Sequence, residues 1–157
     1  MSSRLFIMRH GEAGPGYPDS ERELTARGHA EAERVSTWLA QQPLQGGLLF
    51  TSPYRRARQT AAHLAEALQL EPMEHAAITP DDAPAAVCDW LLDMSANRPI
   101  VLVSHMPLVG LLTGLLVEGR VDRGLGFPTA GVAELEGEVW AAGCARLLRF
   151  IGPHDIS

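Results

Sequence analysis

The chain of 157 residues contains no lysine; all 13 basic side chains are arginines. That absence excludes several chemistries together. A P-loop needs a lysine for the phosphates, and Schiff-base and pyridoxal enzymes need one as the reacting amine. Arginine grips phosphate oxygens two at a time and suits phosphate recognition better than lysine does. Arg27, Arg34, Arg120 and Arg146 sit in surface contexts where composition alone accounts for them. Cysteine is scarce: Cys88 and Cys144 stand alone, with no CxxC spacing. Neither a zinc site nor a disulfide framework is expected, and a reducing cytoplasm is the simplest setting. Positive charge is in deficit, with a net charge of −6. Nucleic-acid binders usually carry a basic face, so no nucleic-acid partner is expected. Long apolar runs are missing as well. Leu5-Phe6-Ile7-Met8 stops at Arg9, and the stretch from Leu108 to Val117 is broken by Gly110, Thr113 and Gly114. Both fall short of the ~20 residues that span a bilayer, and no signal peptide is legible. Aromatic residues make up 6% of the chain against 46% hydrophobic overall, so aliphatic side chains and alanine must fill the core.

What is present alternates between strand and helix patterns without repeats or a linker, as one domain over residues 1–157. The continuous apolar runs Leu5–Met8 and Ile100–Val103 read as strands buried on both faces, and Leu48–Phe50 as a third. Pro15 and Pro18 keep the stretch Gly11 to Glu23 out of helix. Thr25 caps a helix to about Ala40 with Val35, Trp38 and Leu39 on its apolar stripe. Ser52-Pro53 reads as a cap followed by proline at the first helical position, opening a helix to Leu68. A weak strand is expected between Glu74 and Ile78. A helix follows Pro84, with Asp81 or Asp82 as its cap, and a nearly all-apolar helix follows Pro107. Two strands, Val132–Leu135 and Val139–Ile151, joined at Gly137, end the chain. This pattern predicts an α/β fold: a three-layer α/β/α sandwich with a mostly parallel sheet and no large cap insertion.

In such sheets ligands bind beyond the carboxyl ends of strands. The three confident strands are followed by Arg9-His10-Gly11-Glu12, by Ser52-Pro53-Tyr54-Arg55-Arg56 and by Ser104-His105-Met106-Pro107. If those strands are neighbours, two histidines and at least two arginines converge, and two helix N-termini point at the same place, which favours an anion. Cations beside a histidine oppose metal binding, and neither HxH nor HExxH occurs, so no metal and no cofactor are expected. Binding or transfer of a phosphoryl group remains.

These residues resemble the histidine phosphatase superfamily, also called phosphoglycerate-mutase-like. Phe6-Ile7-Met8-Arg9-His10-Gly11-Glu12 is similar to its signature strand and RHG motif, and Leu24-Thr25-Ala26-Arg27-Gly28 to its LTxxG segment. The segment from Ser52 to Thr60 resembles SPxxRAxQT, which places the family arginine at Arg56 rather than Arg55. Ser104 to Gly110 resembles the second-histidine segment. The short SixA-type phosphohistidine phosphatases are the most similar branch, because the chain has no room for the helical insertions of the mutases and acid phosphatases. Asp19 and Arg22 match that branch's polar loop.

The resemblance implies that His10 attacks phosphorus and becomes phosphohistidine. Arg9, Arg56 and His105 hold the equatorial oxygens, with Gly11 and Arg22 as further substrate-binding candidates. Charge spreads over those oxygens in the transition state, so positioning and positive potential supply most of the catalysis. His105 is expected to be cationic beside a bound dianion. No unambiguous general acid is present; Asp19, Asp81 and Asp82 are candidates. Protonated phosphohistidine expels neutral imidazole and needs less acid help than an alkyl phosphate. Glu12 reads as an exposed loop carboxylate or a partner of Arg9. His29, His63, His75 and His154 receive no role.

The leading expectation is a metal-independent protein-histidine phosphatase acting in signalling on a partner such as a histidine-phosphotransfer domain. A phosphatase of a small-metabolite phosphomonoester and a non-catalytic phosphohistidine-binding module are the alternatives.

Overall fold

Four successive residues of the first strand, Leu5 to Met8, are each 0% exposed, so both faces of the strand are covered. Strand geometry sends alternate side chains to opposite faces. Leu5 and Ile7 join one core cluster with Ile100, Leu102, Val87, Leu91, Leu112 and Leu116. Phe6 and Met8 join another with Val101, Val103, Val35, Leu39, Ala57, Ala61 and Leu64. Burying an aliphatic side chain of this size contributes about 1.5–3 kcal/mol, so the doubly covered run anchors the fold.

The computed structural model describes residues 2–94 and 98–156. In chain order the elements are β1 (Ser3–Arg9), α1 (Ala26–Leu39), β2 (Leu48–Thr51), α2 (Arg55–Leu68), β3 (Pro72–Glu74), α3 (Pro84–Asp93), β4 (Ile100–Ser104), α4 (Leu108–Glu118), β5 (Val132–Gly137) and β6 (Arg146–Ile151). They form one six-stranded sheet in the order β3-β2-β4-β1-β5-β6. The pairs β3·β2, β2·β4 and β4·β1 are parallel; β1·β5 and β5·β6 are antiparallel. Helices α1 and α2 cover one face, and α3 and α4 the other. This is the three-layer, mostly parallel architecture expected from the sequence.

The order matters for chemistry. β4 lies between β2 and β1, with Arg9 in register with Ser104 and Thr51 with Val103. The loops that leave these three strands therefore share one edge. His10 N donates to Ser104 O at 3.0 Å, and Ser52 N to Val103 O at 2.9 Å, which extends the ladder into the loops.

Local expectations held where the signal was local. The Thr25 hydroxyl accepts from Gly28 N and caps α1. Helix α4 buries Leu108, Val109, Leu112 and Leu116. Other expectations need correction. Ser52 does not cap α2: the helix starts at Arg55 with Tyr54 at the cap position, and no side chain caps it. Neither Asp81 nor Asp82 caps α3, whose cap position is Ala83. Asp82 instead accepts from the amide and hydroxyl of Thr79, both at 2.7 Å, closing a turn that competes with the capping geometry. β3 comes earlier than the weak apolar pattern of Glu74–Ile78 suggested. It is three exposed residues at the sheet margin, where burial leaves no periodicity to read.

Candidate active site

The site is built from the loop after β1 upward. Gly11 and Gly28 make that loop possible. A Cβ on Gly11 would meet Gly28 O at 2.5 Å, and a Cβ on Gly28 would meet Glu12 O at 2.0 Å. The loop packs backbone to backbone against the first turn of α1, so the glycines of the RHG and LTxxG segments are two sides of one contact. Gly11 N donates to the Thr60 hydroxyl at 3.1 Å. The Gly11 amide is thus bonded to Thr60, and its carbonyl faces His10 Nδ1 and holds that ring in position.

His10 is 6% exposed. Its Nδ1 lies 2.6 Å from Gly11 O. A carbonyl can only accept, so Nδ1 carries the hydrogen. Arg56 Nε, which can only donate, lies 3.2 Å from His10 Nε2. Two contacts on opposite sides of the ring thus specify one tautomer, with the lone pair on Nε2. Burial, and then the charges of Arg56, Arg9 and Arg22, push the His10 pKa down to about 4 against the raising effect of the Gly11 bond. The ring is neutral at pH 7.

Arg56 is 4% exposed. It enters from the first turn of α2, while Arg55 turns away to pair with Glu23 at 3.3 Å. Arg56 Nη1 donates to Asp19 O at 2.7 Å and Nη2 to Asp19 Oδ2 at 3.2 Å. Arg22 Nη1 reaches Asp19 Oδ1 at 3.1 Å, while its Nε is committed to Gly14 O at 2.8 Å. These two guanidiniums, Arg22 foremost, hold the Asp19 carboxyl below the usual carboxylate range. An ionised carboxylate has no proton to lend, which weakens Asp19 as a general acid. Asp19 thus engages two donors of Arg56.

His105, 1% exposed, stands beside His10 with ring centroids 5.1 Å apart in an edge-on arrangement. Its Nε2 lies 2.7 Å from Ser52 Oγ. Burial comes first, and the proximity of His10, Arg56 and Arg9 second, in bringing its pKa down to about 2; Asp19 opposes them. Burial and the neighbouring cations favour the neutral His105 ring. Arg9 anchors one end of its guanidinium on Phe127 O at 2.8 Å. Its pKa is lowered by burial and by Arg56 and raised by Glu31. Arg9 Nε and His105 Nδ1 are buried polar atoms with no hydrogen-bond partner among the described residues.

Glu12 is a partner of Thr25, at 2.9 Å, and lies 3.9 Å from Arg27; it is not the partner of Arg9. Sequence reasoning missed Glu31, which accepts from Glu12 N and from the Thr129 hydroxyl and lies near enough to Arg9 to stabilise its charge. It missed Tyr54 too, whose ring lies 5.0 Å from His105 and 5.1 Å from the Arg56 guanidinium carbon. Nothing in helical or strand periodicity marks either residue. Thr60 was visible only as a motif letter. Among the described residues no group of three or more His, Cys, Asp or Glu side chains is arranged to hold a metal ion.

A nucleophile-like histidine at a strand end, flanked by two arginines and a second histidine, defines a phosphohydrolase site on an α/β sheet. Residues 5–79 match the model of the histidine phosphatase superfamily (branch 1). The chain is 32% identical over 139 residues to the phosphohistidine phosphatase SixA of Escherichia coli (strain K12), covering 84% of each. It also matches a solved structure of the protein histidine phosphatase SixA complexed with tungstate, with a TM-score of 0.87, 27% identity and coverage of 97% of this chain and 98% of that one. A glucosyl-3-phosphoglycerate phosphatase of mycobacterial origin shares the fold, with a TM-score of 0.69 at 20% identity over 94% of this chain and 97% of that one. The chain belongs to the histidine phosphatase superfamily. Within it, the chain is SixA-like in sequence and in fold. Among the described residues no helix is long and apolar enough to cross a membrane.

Proposed function

We propose that this phosphatase removes phosphoryl groups from phosphohistidine on a partner protein, through a phosphohistidine formed on His10 and without a metal ion. The observation that carries the reading is the locked tautomer: Nδ1–H is tied to Gly11 O and the lone pair faces Arg56 on Nε2.

The chemistry follows from it. Phosphoryl oxygens draw the Arg56 guanidinium from Nε2 and from Asp19. The Nε2 lone pair attacks phosphorus in line while the P–N bond of the substrate breaks and its imidazole leaves as a neutral ring. His10, now bonded at Nε2 and still carrying Nδ1–H, is an imidazolium, stabilised by the Gly11 carbonyl. Water then attacks phosphorus, the P–N bond to His10 breaks, and the electron pair returns to Nε2. The released phosphate carries both hydrogens of the water as H2PO4−, and gives one to solvent at neutral pH. Each step expels a neutral imidazole, so neither needs a strong acid. An ionised Asp19 is compatible with that chemistry and poorly suited to expelling an alkoxide. Arg9 and Arg56 match the charge on the equatorial oxygens. The unpartnered Arg9 Nε and His105 Nδ1 are suited to the same oxygens. The tungstate in the related SixA structure is a tetrahedral oxyanion of comparable shape.

The test is a side-by-side panel. A phosphorylated histidine-phosphotransfer domain should be dephosphorylated with a kcat/KM far above that for sugar phosphates, and EDTA should leave the rate unchanged. Labelled substrate should leave an acid-labile label on His10. A preference for one sugar phosphate would refute the substrate class, and metal-restored activity after EDTA would refute metal independence.

A further inference from the structure

The second histidine is fixed less visibly than the first, and the hydroxyl of Ser52 is what fixes it. Ser52 is 0% exposed. Among the described residues its Oγ meets two partners: it accepts from Tyr54 N at 3.2 Å, and it lies 2.7 Å from His105 Nε2. A hydroxyl has one hydrogen to place. If His105 Nε2 carried a hydrogen and donated to Ser52, the hydroxyl hydrogen would have neither acceptor nor solvent. His105 Nδ1 would then be a bare buried lone pair beside the place where phosphoryl oxygens bind. If Ser52 donates to Nε2, both contacts of Oγ are satisfied and the ring hydrogen sits on Nδ1. A buried hydrogen-bonding group left unmade costs more than a made one contributes, so the second arrangement is favoured.

We propose that Ser52 is a positioning residue that sets the Nδ1–H tautomer of His105, so that His105 meets the phosphoryl group as a neutral hydrogen-bond donor. The burial that lowers the His105 pKa accords with a neutral ring. The two histidines then have complementary tasks with the same tautomer: on His10 Nδ1–H faces a carbonyl and Nε2 is free to attack, and on His105 Nε2 is held by Ser52 and Nδ1–H is free to donate. The commoner neutral form of a free imidazole carries its hydrogen on Nε2, so His105 needs this partner.

The assignment of a use to that donor rests on the phosphoryl-transfer reading; the tautomer does not. Long-range proton–nitrogen correlation spectra of the nitrogen-15-labelled full chain, without substrate, distinguish the two neutral tautomers at His105. The wild type should show Nδ1 protonated and Nε2 as the acceptor. Ser52→Ala should show loss of that preference toward Nε2–H, with kcat lowered about tenfold or more and KM changed far less, as for a weakened oxyanion donor. Ser52→Thr, which keeps the hydroxyl, should restore the Nδ1–H signature. An Nε2–H tautomer in the wild type overturns the proposal whatever the activity. An unchanged Nδ1–H tautomer in a folded Ser52→Ala protein removes Ser52 from the role. Failure to hydrolyse phosphohistidine would instead refute the functional reading and leave the tautomer standing.

Discussion

Lowering the pH separates the buried, neutral His10 from an ordinary histidine. Burial and three nearby arginines bring its pKa to about 4, against about 6.5 for an exposed histidine. At pH 5 roughly nine-tenths of His10 would remain neutral and able to attack. With an unperturbed pKa only about 3% would, a difference of roughly thirtyfold in nucleophile concentration. Enzymatic kcat/KM, corrected for spontaneous acid hydrolysis of phosphohistidine, should therefore show no loss from His10 titration between pH 8 and pH 5. Following the His10 Cε1 proton by NMR from pH 8 to pH 3.5 gives the same pKa without substrate. The same shift has a consequence for stability. The unfolded chain binds this proton near pH 6.5 and the folded chain only near pH 4, so stability from this group is complete above 6.5 and declines as pH falls toward 4. Below 4 both states are protonated. The loss is on the order of 3 kcal/mol for His10, and the stronger depression at His105 adds in the same direction. Urea midpoints at pH 7 and pH 5 should differ accordingly. A His10 titration near pH 6.5, with activity falling tenfold per unit below it, would refute both the burial argument and the cationic environment assigned to this ring.

Arg56→Ala should lower kcat/KM by a factor on the order of 10²–10³, the scale of a lost oxyanion donor, whereas Arg55→Ala, which breaks only an exposed pair with Glu23, should stay within about threefold. Equal losses in steady-state kinetics would undo the assignment of Arg56. Asp19→Asn should change phosphohistidine hydrolysis only severalfold, because the carboxylate carries no proton in the ion pair; a loss as large as that of Arg56→Ala would make Asp19 part of the chemistry. Gly28→Ala places a Cβ 2.0 Å from Glu12 O and should lower stability by about 1–3 kcal/mol, with a matching fall in calorimetric Tm and a loss of rate as the RHG loop shifts. An unchanged Tm would show that the loop yields freely.

The elements with purely local causes were legible in the amino-acid order. Leu5–Met8 and Ile100–Val103 read as doubly buried strands because a strand covered on both faces needs an unbroken apolar run. Thr25 read as a helix cap because its hydroxyl reaches an amide three residues on. Arg9, His10 and His105 could be named from their places at strand ends, whereas the choice of Arg56 over Arg55 came from the resemblance to a phosphatase family. What they do to one another was decided by the tertiary structure. Placing β4 between β2 and β1 brings Ser52 to His105 across 53 residues, and Arg56 to His10 across 46. The neutrality of both histidines follows from burial and from arginines on other elements, the tautomer of His10 from the groups its two ring nitrogens face, and the lowered Asp19 from Arg22 in its own loop and Arg56 of α2. Ser52 illustrates the difference. Its place before Pro53 gives it a local reading as a helix cap, yet the helix begins later, and its hydroxyl lies 2.7 Å from His105, the residue just past β4. Local propensity specifies which backbone shapes are available. Only the packed sheet determines which polar groups lose water together, and that loss is what turns two ordinary imidazoles into groups with separate tasks.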